Sequence, residues 1–211
     1  MKTVASQSSK DTPDKILQAA KRLFAQYGYH GVSVKQIAQE AGANSALISY
    51  HFGGKARLYQ TVLEQLAGKL TALAEKLKAA RQRPLQELLA FWDETARLFL
   101  QDLDSMYILY QEFLVPTDYG NDVVRRHFLV FYDQLVEAVE TAKAQQSIRP
   151  ESDSRRIVFV LFSISSFYLL TYKYEALSES KRLPGDNDFL RLHGVYAEYL
   201  KTISTGKESL S

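Results

Sequence analysis

The most informative stretch of this chain is residues 33–58, which read SVKQIAQEAGANSALISYHFGGKARL. Ser33 is a good helix N-cap, and Gln36 three positions later completes a capping box. Apolar residues then recur at helical spacing, and Gly42 can take the left-handed conformation that ends a helix. Asn44 can cap the next helix. This pattern predicts a helix-turn-helix, whose second helix enters the major groove of DNA.

The second helix has one apolar face and one small, polar face. Leu47 and Ile48 are expected to be buried, together with His51 or Phe52. Small residues on the opposite face let the helix backbone approach base edges. That outward face consists of Ser45, Ala46, Ser49 and Tyr50.

A glycine turn alone fits a plain corner between two helices equally well. The lysine behind the second helix favours the DNA interpretation. Lys55 opens another helix after Gly53-Gly54, where its charge opposes the helix dipole. A phosphate at that point would be bound by the ammonium and by the free N–H groups.

The charge of the chain is unevenly distributed. The formal net charge is +2. Residues 1–58 hold eight Lys and Arg against three Asp and Glu, whereas residues 59–211 hold eighteen against twenty-one. The basic surplus therefore lies with the helix-turn-helix, as a surface that faces phosphates requires.

Composition excludes several classes of protein. The 211 residues are 46% hydrophobic and 24% charged, which is ordinary for a globular protein with a sizeable core. Absence of cysteine excludes disulfides, and we expect a cytoplasmic protein. The N-terminus has no apolar signal core. Residues 157–172 are apolar and uncharged but too short to span a membrane, so we expect a helix buried on most sides and no membrane contact.

The rest of the chain is predicted to be a succession of helices, without a strand pattern. Residues 1–11 form a flexible polar tail, and Asp11 or Thr12 caps a first helix with Pro13 in its first turn. A long helix begins near Lys55. The sequence therefore predicts an all-α fold of about nine helices. Later helices are expected at about 84–100, 105–115, 122–145, 153–178 and 188–204, with loops at 117–120 and 183–186.

Separate motifs over the N-terminal part form a recognisable signature. The motifs are ILQAAKRLF at 16–24, YG at 27–28, SVKQIAQEAG at 33–42 and YHFGGKARL at 50–58. Their sequences and spacing resemble the TetR family of bacterial transcriptional regulators. The match is confined to about the first 60 residues, while the remainder fits that family in length and helical content.

The resemblance implies which residues contact DNA. Asn44, at the start of the second helix, can also donate or accept hydrogen bonds there. Two positions depart from the family pattern: many members have tyrosine in place of Ser49, and an acidic residue in place of Ala56. Phosphate contacts are implied for Ser33, Lys35, Tyr50, His51 and Lys55, and groove-facing positions for Ser45, Ala46 and Ser49.

The resemblance also implies two domains. Residues 1–58 would be a three-helix DNA-binding domain, and residues 59–211 a larger helical domain for ligand binding and dimerisation. Its helices at 153–178 and 188–204 would form the homodimer interface. The implied function is a regulator, most commonly a repressor, that binds palindromic double-stranded operator DNA as a dimer and is released by a small-molecule effector.

The second domain is rich in aromatic residues. Buried tyrosines need hydrogen-bond partners, so such a cluster indicates an amphipathic cavity and a mainly hydrophobic or aromatic effector. Plain core packing is the alternative for any single residue. Glu112 and Asp93 are expected on solvated faces. The predicted ligand-binding residues are Trp92, Phe99, Tyr110, Phe113, Phe128, Phe131, Phe162 and Tyr168.

Two alternatives to a ligand-controlled regulator remain. The aromatic region could be an interface for a protein partner that controls the DNA-binding domain. An all-α enzyme is the other alternative. However, the sequence has no nucleophile–base pair, phosphate loop or metal-ligand spacing, so we expect no enzyme activity, metal or cofactor.

Overall fold

The fold is all-α. A computed structural model describes residues 5–79, 83–178 and 186–207, with side chains for 12–78, 83–168 and 190–207. Within these ranges the only extended pairing is an isolated bridge between Ile148 and Ser204. The helices are α1 (Ala5–Tyr27), α2 (Val34–Glu40), α3 (Ser45–Phe52), α4 (Lys55–Ala79), α5 (Pro84–Gln101), α6 (Leu103–Leu114), α7 (Asp118–Val123), a π-helical turn (Val124–Phe128), α8 (Leu129–Ala144), α9 (Ser154–Ser178) and α10 (Asp186–Ile203).

The helix count agrees with the sequence. The π-helical turn follows α7 and precedes α8 without a break, so residues 118–144 form one continuous helix with a local widening. Counted in this way, the described ranges contain nine helices, and the predicted fold class is confirmed.

The caps predicted around the helix-turn-helix are present. The Ser33 hydroxyl accepts a hydrogen bond from the Gln36 N–H at 3.2 Å, and the Gln36 side chain accepts one from the Ser33 N–H at 2.8 Å. Gly42 has a φ of +62°, which an L side chain rarely adopts. Asn44 caps α3 by accepting from the Ala46 N–H at 2.9 Å. Local sequence therefore sets both ends of this motif.

The start of α1 differs from the prediction. The helix begins at Ala5, so Pro13 lies inside it rather than in its first turn, and residues 5–11 of the predicted tail are helical. Proline disfavours helix immediately before it and removes one backbone hydrogen bond, which is why the sequence pattern places the start later. The remainder of the predicted tail, residues 1–4, lies outside the described residues.

The predicted loop at 117–120 is also shorter in the structure. Thr117 caps α7 by accepting a hydrogen bond from the Gly120 N–H at 2.9 Å, so the helix begins at Asp118. At the other predicted loop, residues 183–185 lie outside the described residues, and α10 already begins at Asp186.

The chain divides into two compact units. Unit 1 comprises residues 1–68 and 104–128, and unit 2 comprises residues 69–103 and 129–211. Unit 1 thus contains α6 and α7 as well as the helix-turn-helix. A functional limit after residue 58 stays a prediction, because compactness alone does not test it.

Unit 1 has a continuous apolar core. It is built from one buried face of each helix, and α3 contributes only one fully buried side chain. Burying an aliphatic or aromatic side chain stabilises a fold by about 1.5–3 kcal/mol. The core therefore packs against one face of α3 and leaves the opposite face of this helix exposed. Its central residues are Ile16, Phe24, Ile37, Ile48, Leu58, Tyr59, Ile108 and Val123.

In unit 2, α5 packs against α8, α9 and α10, and α9 also packs against α8 and α10. Ile157, Val158 and Leu161 of α9 are buried, whereas Phe159 is 67% exposed. Only three of the twelve residues 157–168 are exposed, so over this range α9 is buried or partly buried on most sides, as expected, and one helical face remains open. No helix among the described residues combines the length and hydropathy needed to cross a membrane.

Candidate functional site

The outer face of α3 is exposed as predicted. Ile48 is buried, Leu47 and Phe52 are partly buried, and Tyr50 is 81% exposed. Of the two candidates for the inner face, Phe52 turns toward the core and His51 does not. At the start and middle of α3 the exposed face is small and polar, so the helix backbone can approach a groove there. Its exposed members are Asn44, Ser45, Ala46, Ser49, Tyr50 and His51.

The two capping residues have part of their hydrogen-bonding capacity in use. The Ser33 hydroxyl accepts from Gln36 N–H and donates to the Gln36 side-chain oxygen at 2.7 Å. Asn44 uses its side-chain oxygen for the cap of α3, which leaves its amide NH₂ as a donor. Any phosphate contact by Ser33 would have to compete with its own cap, whereas Asn44 can cap and contact DNA together.

Lys55 has an internal role. Its ammonium donates a hydrogen bond to the Val32 carbonyl at 2.6 Å and lies 4.2 Å from the centre of the Tyr29 ring. Burial lowers the pKa of Lys55. The carbonyl and the ring face both attract the charged form, so they offset part of that cost. These contacts hold the Lys55 side chain within unit 1, and its predicted phosphate contact stays a prediction.

Lys35 and Arg57 are exposed cations beside the two helices. Lys35 lies in the first turn of α2, and Arg57 in the first turn of α4. Sequence reasoning missed Arg57. One available signal was that the chain contains no Lys or Arg between Lys35 and Lys55, so α3 itself supplies no fixed positive charge.

Glu112 occupies a buried polar network in unit 1. The network consists of Glu112, Tyr59, Thr117 and Gly120. The Glu112 carboxylate accepts hydrogen bonds from the Tyr59 hydroxyl at 2.6 Å, the Thr117 hydroxyl at 2.8 Å and the Thr117 N–H at 3.0 Å. Burial, with the hydrogen bond to Glu112, raises the pKa of Tyr59 above its ordinary value. The expectation of a solvated face for Glu112 is wrong, because tyrosine and threonine donors compensate its burial.

Five of the eight predicted ligand residues belong to unit 2. Trp92 contacts Phe162 edge-to-face, with ring centres 5.1 Å apart, and Phe162 also contacts Phe131 at 5.9 Å. Phe99 is buried and Tyr168 partly buried. Trp92 is 0% exposed, and its indole Nε1 has no hydrogen-bond partner among the described residues. The structure thus brings three predicted residues together around one unsatisfied donor.

The other three predicted ligand residues belong to unit 1. Phe113 of α6 is largely exposed, and its ring lies 6.2 Å from that of Phe128. Tyr110 is partly buried. A cleft of about 140 Å³ in unit 2 is lined by none of the predicted residues; its lining is Leu73, Lys76, Leu77, Glu87, Ala90, Phe91 and Glu94. The ligand assignments therefore stay predictions.

Asp93 and His193 form a partly buried pair in unit 2. The His193 Nδ1 lies 2.8 Å and 3.0 Å from the two carboxylate oxygens of Asp93. Burial raises the pKa of Asp93, and the hydrogen bond with His193 acts in the opposite direction. Asp93 was expected on a solvated face, and this expectation is wrong because the side chain is partly buried against His193. No group of three potential metal ligands occurs among the side chains that the structure describes.

Sequence comparison gives a partial match. A sequence model described as bacterial regulatory proteins of the tetR family matches residues 16–62. The HTH-type transcriptional repressor NicS of Pseudomonas putida is 36% identical over 98 residues, which are 44% of this chain and 46% of NicS. The chain therefore matches about half the length of this curated relative. Its name agrees with the prediction that the chain is not an enzyme.

Solved structures match over most of the chain at low identity. The ketosteroid transcriptional regulator KstR2 of Mycobacterium tuberculosis has a TM-score of 0.71 at 16% identity, covering 91% of this chain and 94% of its own. The transcriptional regulator FadR of Bacillus subtilis, solved with stearoyl-CoA, has a TM-score of 0.70 at 17% identity, covering 88% and 96%. At such identities these matches show a shared fold.

Proposed function

Since the chain belongs to the TetR family of bacterial regulatory proteins through residues 16–62, we propose that it is a transcriptional repressor that binds palindromic operator DNA as a homodimer. The exposed small, polar face of α3, held from behind by Ile48, is the observation that carries this proposal. A regulator of this kind acts where the chromosome is, so we place it in the cytoplasm.

The roles on DNA follow from exposure. Ser45, Ala46 and Ser49 are proposed to face the groove, where they read base edges. Phosphates would be contacted by Lys35, Tyr50 and His51, with Ser33 and Asn44 at the helix starts. Of the predicted phosphate contacts, Ser33 and Lys55 already make side-chain hydrogen bonds within unit 1.

A homodimer through α9 and α10 is supported by exposed apolar residues in unit 2. Phe159 and Phe167 are 67% and 71% exposed, and their spacing of eight residues puts both on one face of α9. Leu190 and Val195 of α10 are exposed as well. An apolar face of this kind is characteristic of a surface that a second copy covers.

The proposed effector is hydrophobic or aromatic and carries a hydrogen-bond acceptor. The aromatic cluster around Trp92 supports the apolar part, and the unpartnered indole N–H supports the acceptor. Leaving a buried donor unsatisfied costs about 1–3 kcal/mol. An effector oxygen or ring nitrogen at this point would remove that cost, which favours the effector-bound form.

The proposed mechanism depends on α4, whose residues 55–68 belong to unit 1 and residues 69–79 to unit 2. A displacement of this helix would change the separation of the two α3 helices in a dimer. Operator DNA requires a separation of about one helical turn, roughly 34–36 Å. An effector that prefers the mismatched separation would weaken DNA binding by about 1–3 kcal/mol.

The test is selection of genomic fragments by the purified chain, followed by anisotropy titration of a selected duplex and its single-base variants. Ser45→Ala is expected to change the preference among these duplexes by about tenfold, the value of one base contact. Glu151→Ala, an exposed change in the α8–α9 loop, is the control. Failure to enrich any fragment would refute operator binding, and uniform weakening by Ser45→Ala would refute base readout by Ser45.

A further inference from the structure

We propose that Arg57 is a phosphate-binding residue beside α3, in the place where the sequence pattern alone puts Lys55. This inference rests on the proposed DNA-binding function and adds to it a contact that neither the motif nor the relatives assign. Three observations carry it: the internal bonds of Lys55, the position of the Arg57 stem, and the distribution of cations around α3.

The Lys55 ammonium already has two partners inside unit 1. It bonds to the Val32 carbonyl at 2.6 Å and lies over the Tyr29 ring at 4.2 Å. The Val32 carbonyl takes one of the three ammonium donors and the Tyr29 ring face attracts the same charge, so Lys55 has only part of its donor set left for a phosphate. Lys55 is therefore better described as a residue that joins the start of α4 to the segment before α2.

The Arg57 side chain runs along the end of α3. A Cβ atom built on Gly53, which caps the C-terminus of α3, would lie 3.7 Å from Cγ of Arg57. Tyr50 lies one helical turn before Gly53, on the exposed face of α3. The aliphatic stem of Arg57 thus borders the surface that is proposed to face DNA, and the residue as a whole is exposed.

The distribution of cations around α3 favours a contact from a flanking helix. The chain has no Lys or Arg from residue 36 to residue 54, so cations beside α3 must come from its flanks. Lys35 supplies one on the α2 side. Within the described side chains, no ion pair involves the Arg57 guanidinium, whereas Arg22 and Arg126 pair with Glu40 and with Asp122. Arg57 is therefore available on the α4 side, and its planar guanidinium suits a phosphate.

The experiment measures the salt dependence of binding to a fluorescein-labelled duplex of scrambled sequence, by anisotropy. Each neutralised phosphate contributes about 0.9 to the slope of log K against log salt. Arg57→Gln is expected to lower the slope by about one unit per subunit, and Arg57→Lys to retain it because the charge is kept. Lys55→Met is expected to keep the wild-type slope and to lower the melting temperature.

Arg125→Gln is the matched control, because Arg125 is an exposed arginine of unit 1 on the π-helical turn. Equal melting temperatures of the Arg57 variants and the wild type would show that the effect is not one of folding. A wild-type slope in Arg57→Gln would overturn the inference. A slope lowered in Lys55→Met and not in Arg57→Gln would overturn it as well. If the wild-type chain binds neither this duplex nor genomic fragments, the proposed function itself fails.

Discussion

Glu112 connects three helices of unit 1 through one carboxylate. A charged group with 3% exposure is strongly unfavourable unless donors surround it, and Tyr59 and Thr117 supply three. The approach is close enough that a Cβ on Gly120 would overlap the Glu112 carboxyl, so a side chain at this position would displace the carboxyl from its donors. The network fixes α6 and the first turn of α7 against α4.

Glu112→Ala is expected to destabilise the chain by about 3 kcal/mol or more, because it leaves three buried donors without an acceptor. Glu112→Gln keeps the size and one acceptor oxygen, so we expect about half that loss. Urea unfolding followed by circular dichroism measures both. The control is Glu64→Ala, whose partner Arg126 is 3.6 Å away at the surface. A loss for Glu112→Ala no larger than that of the control would contradict the role of the network.

The sequence predicted the exposure of a side chain well where its position on its own helix decides that exposure. Ile48 inward and Ser45 outward follow from helical spacing alone. Lys55 and Glu112 could not be placed in this way, because their partners are distant in sequence: Val32 lies 23 positions from Lys55, and Tyr59 lies 53 positions from Glu112. Charged side chains read singly from a sequence are expected at the surface, and only the fold shows which ones have compensating partners.

At the scale of helices, three starts were predictable because a local cap decides them. Ser33 and Asn44 cap α2 and α3, and Asp153 accepts from the Arg156 N–H at 2.9 Å at the start of α9. The start of α7 was missed because Thr117 acts there as a cap and as a donor to Glu112 together. Asp118 and Gly120 are turn-forming residues and therefore favoured a loop in the sequence analysis. In the structure, the contact between Thr117 and Glu112 favours the helix.

The exposed face of α9 gives a prediction about assembly. Phe159→Asp is expected to weaken the proposed homodimer by about two orders of magnitude or more, because a symmetric interface would lose the residue twice and each buried Phe contributes about 1.5–3 kcal/mol. Analytical ultracentrifugation measures the change. Phe113→Asp, at another exposed phenylalanine, which belongs to unit 1, should leave the dimer intact. A wild-type dissociation constant for Phe159→Asp would exclude this face from the interface.

For the whole chain, helical content and the DNA-binding motif were predictable, but the division into units was not. Sequence order suggests a limit after residue 58, whereas unit 1 also takes in residues 104–128. That segment returns through Ile108 and Val123, which join the core around Phe24. Periodicity marks such residues as buried without naming the core they enter. Therefore only tertiary contacts could show that α6 and α7 pack with the helix-turn-helix.

Trp92 is the residue through which effector binding can be followed in the whole molecule, because it is the only tryptophan. A compound that accepts a hydrogen bond from the indole N–H should change the fluorescence of Trp92 and release the operator duplex. Trp92→Phe removes the donor and keeps an aromatic ring. We expect about five- to thirtyfold more effector to be needed for release, the value of about 1–2 kcal/mol for one buried hydrogen bond, with unchanged operator affinity in its absence.

Tyr132→Phe is the control for this prediction. It removes a hydroxyl that donates to the Arg155 carbonyl at 3.0 Å, on the exposed side of the same aromatic cluster, so release should be unaffected. Thermal-shift screening of aromatic and acyl compounds identifies the effector for both variants.

Two outcomes would contradict the proposal. One is a screen that yields only strongly polar, charged binders, and the other is an effector that releases operator from Trp92→Phe and from the wild type at the same concentration.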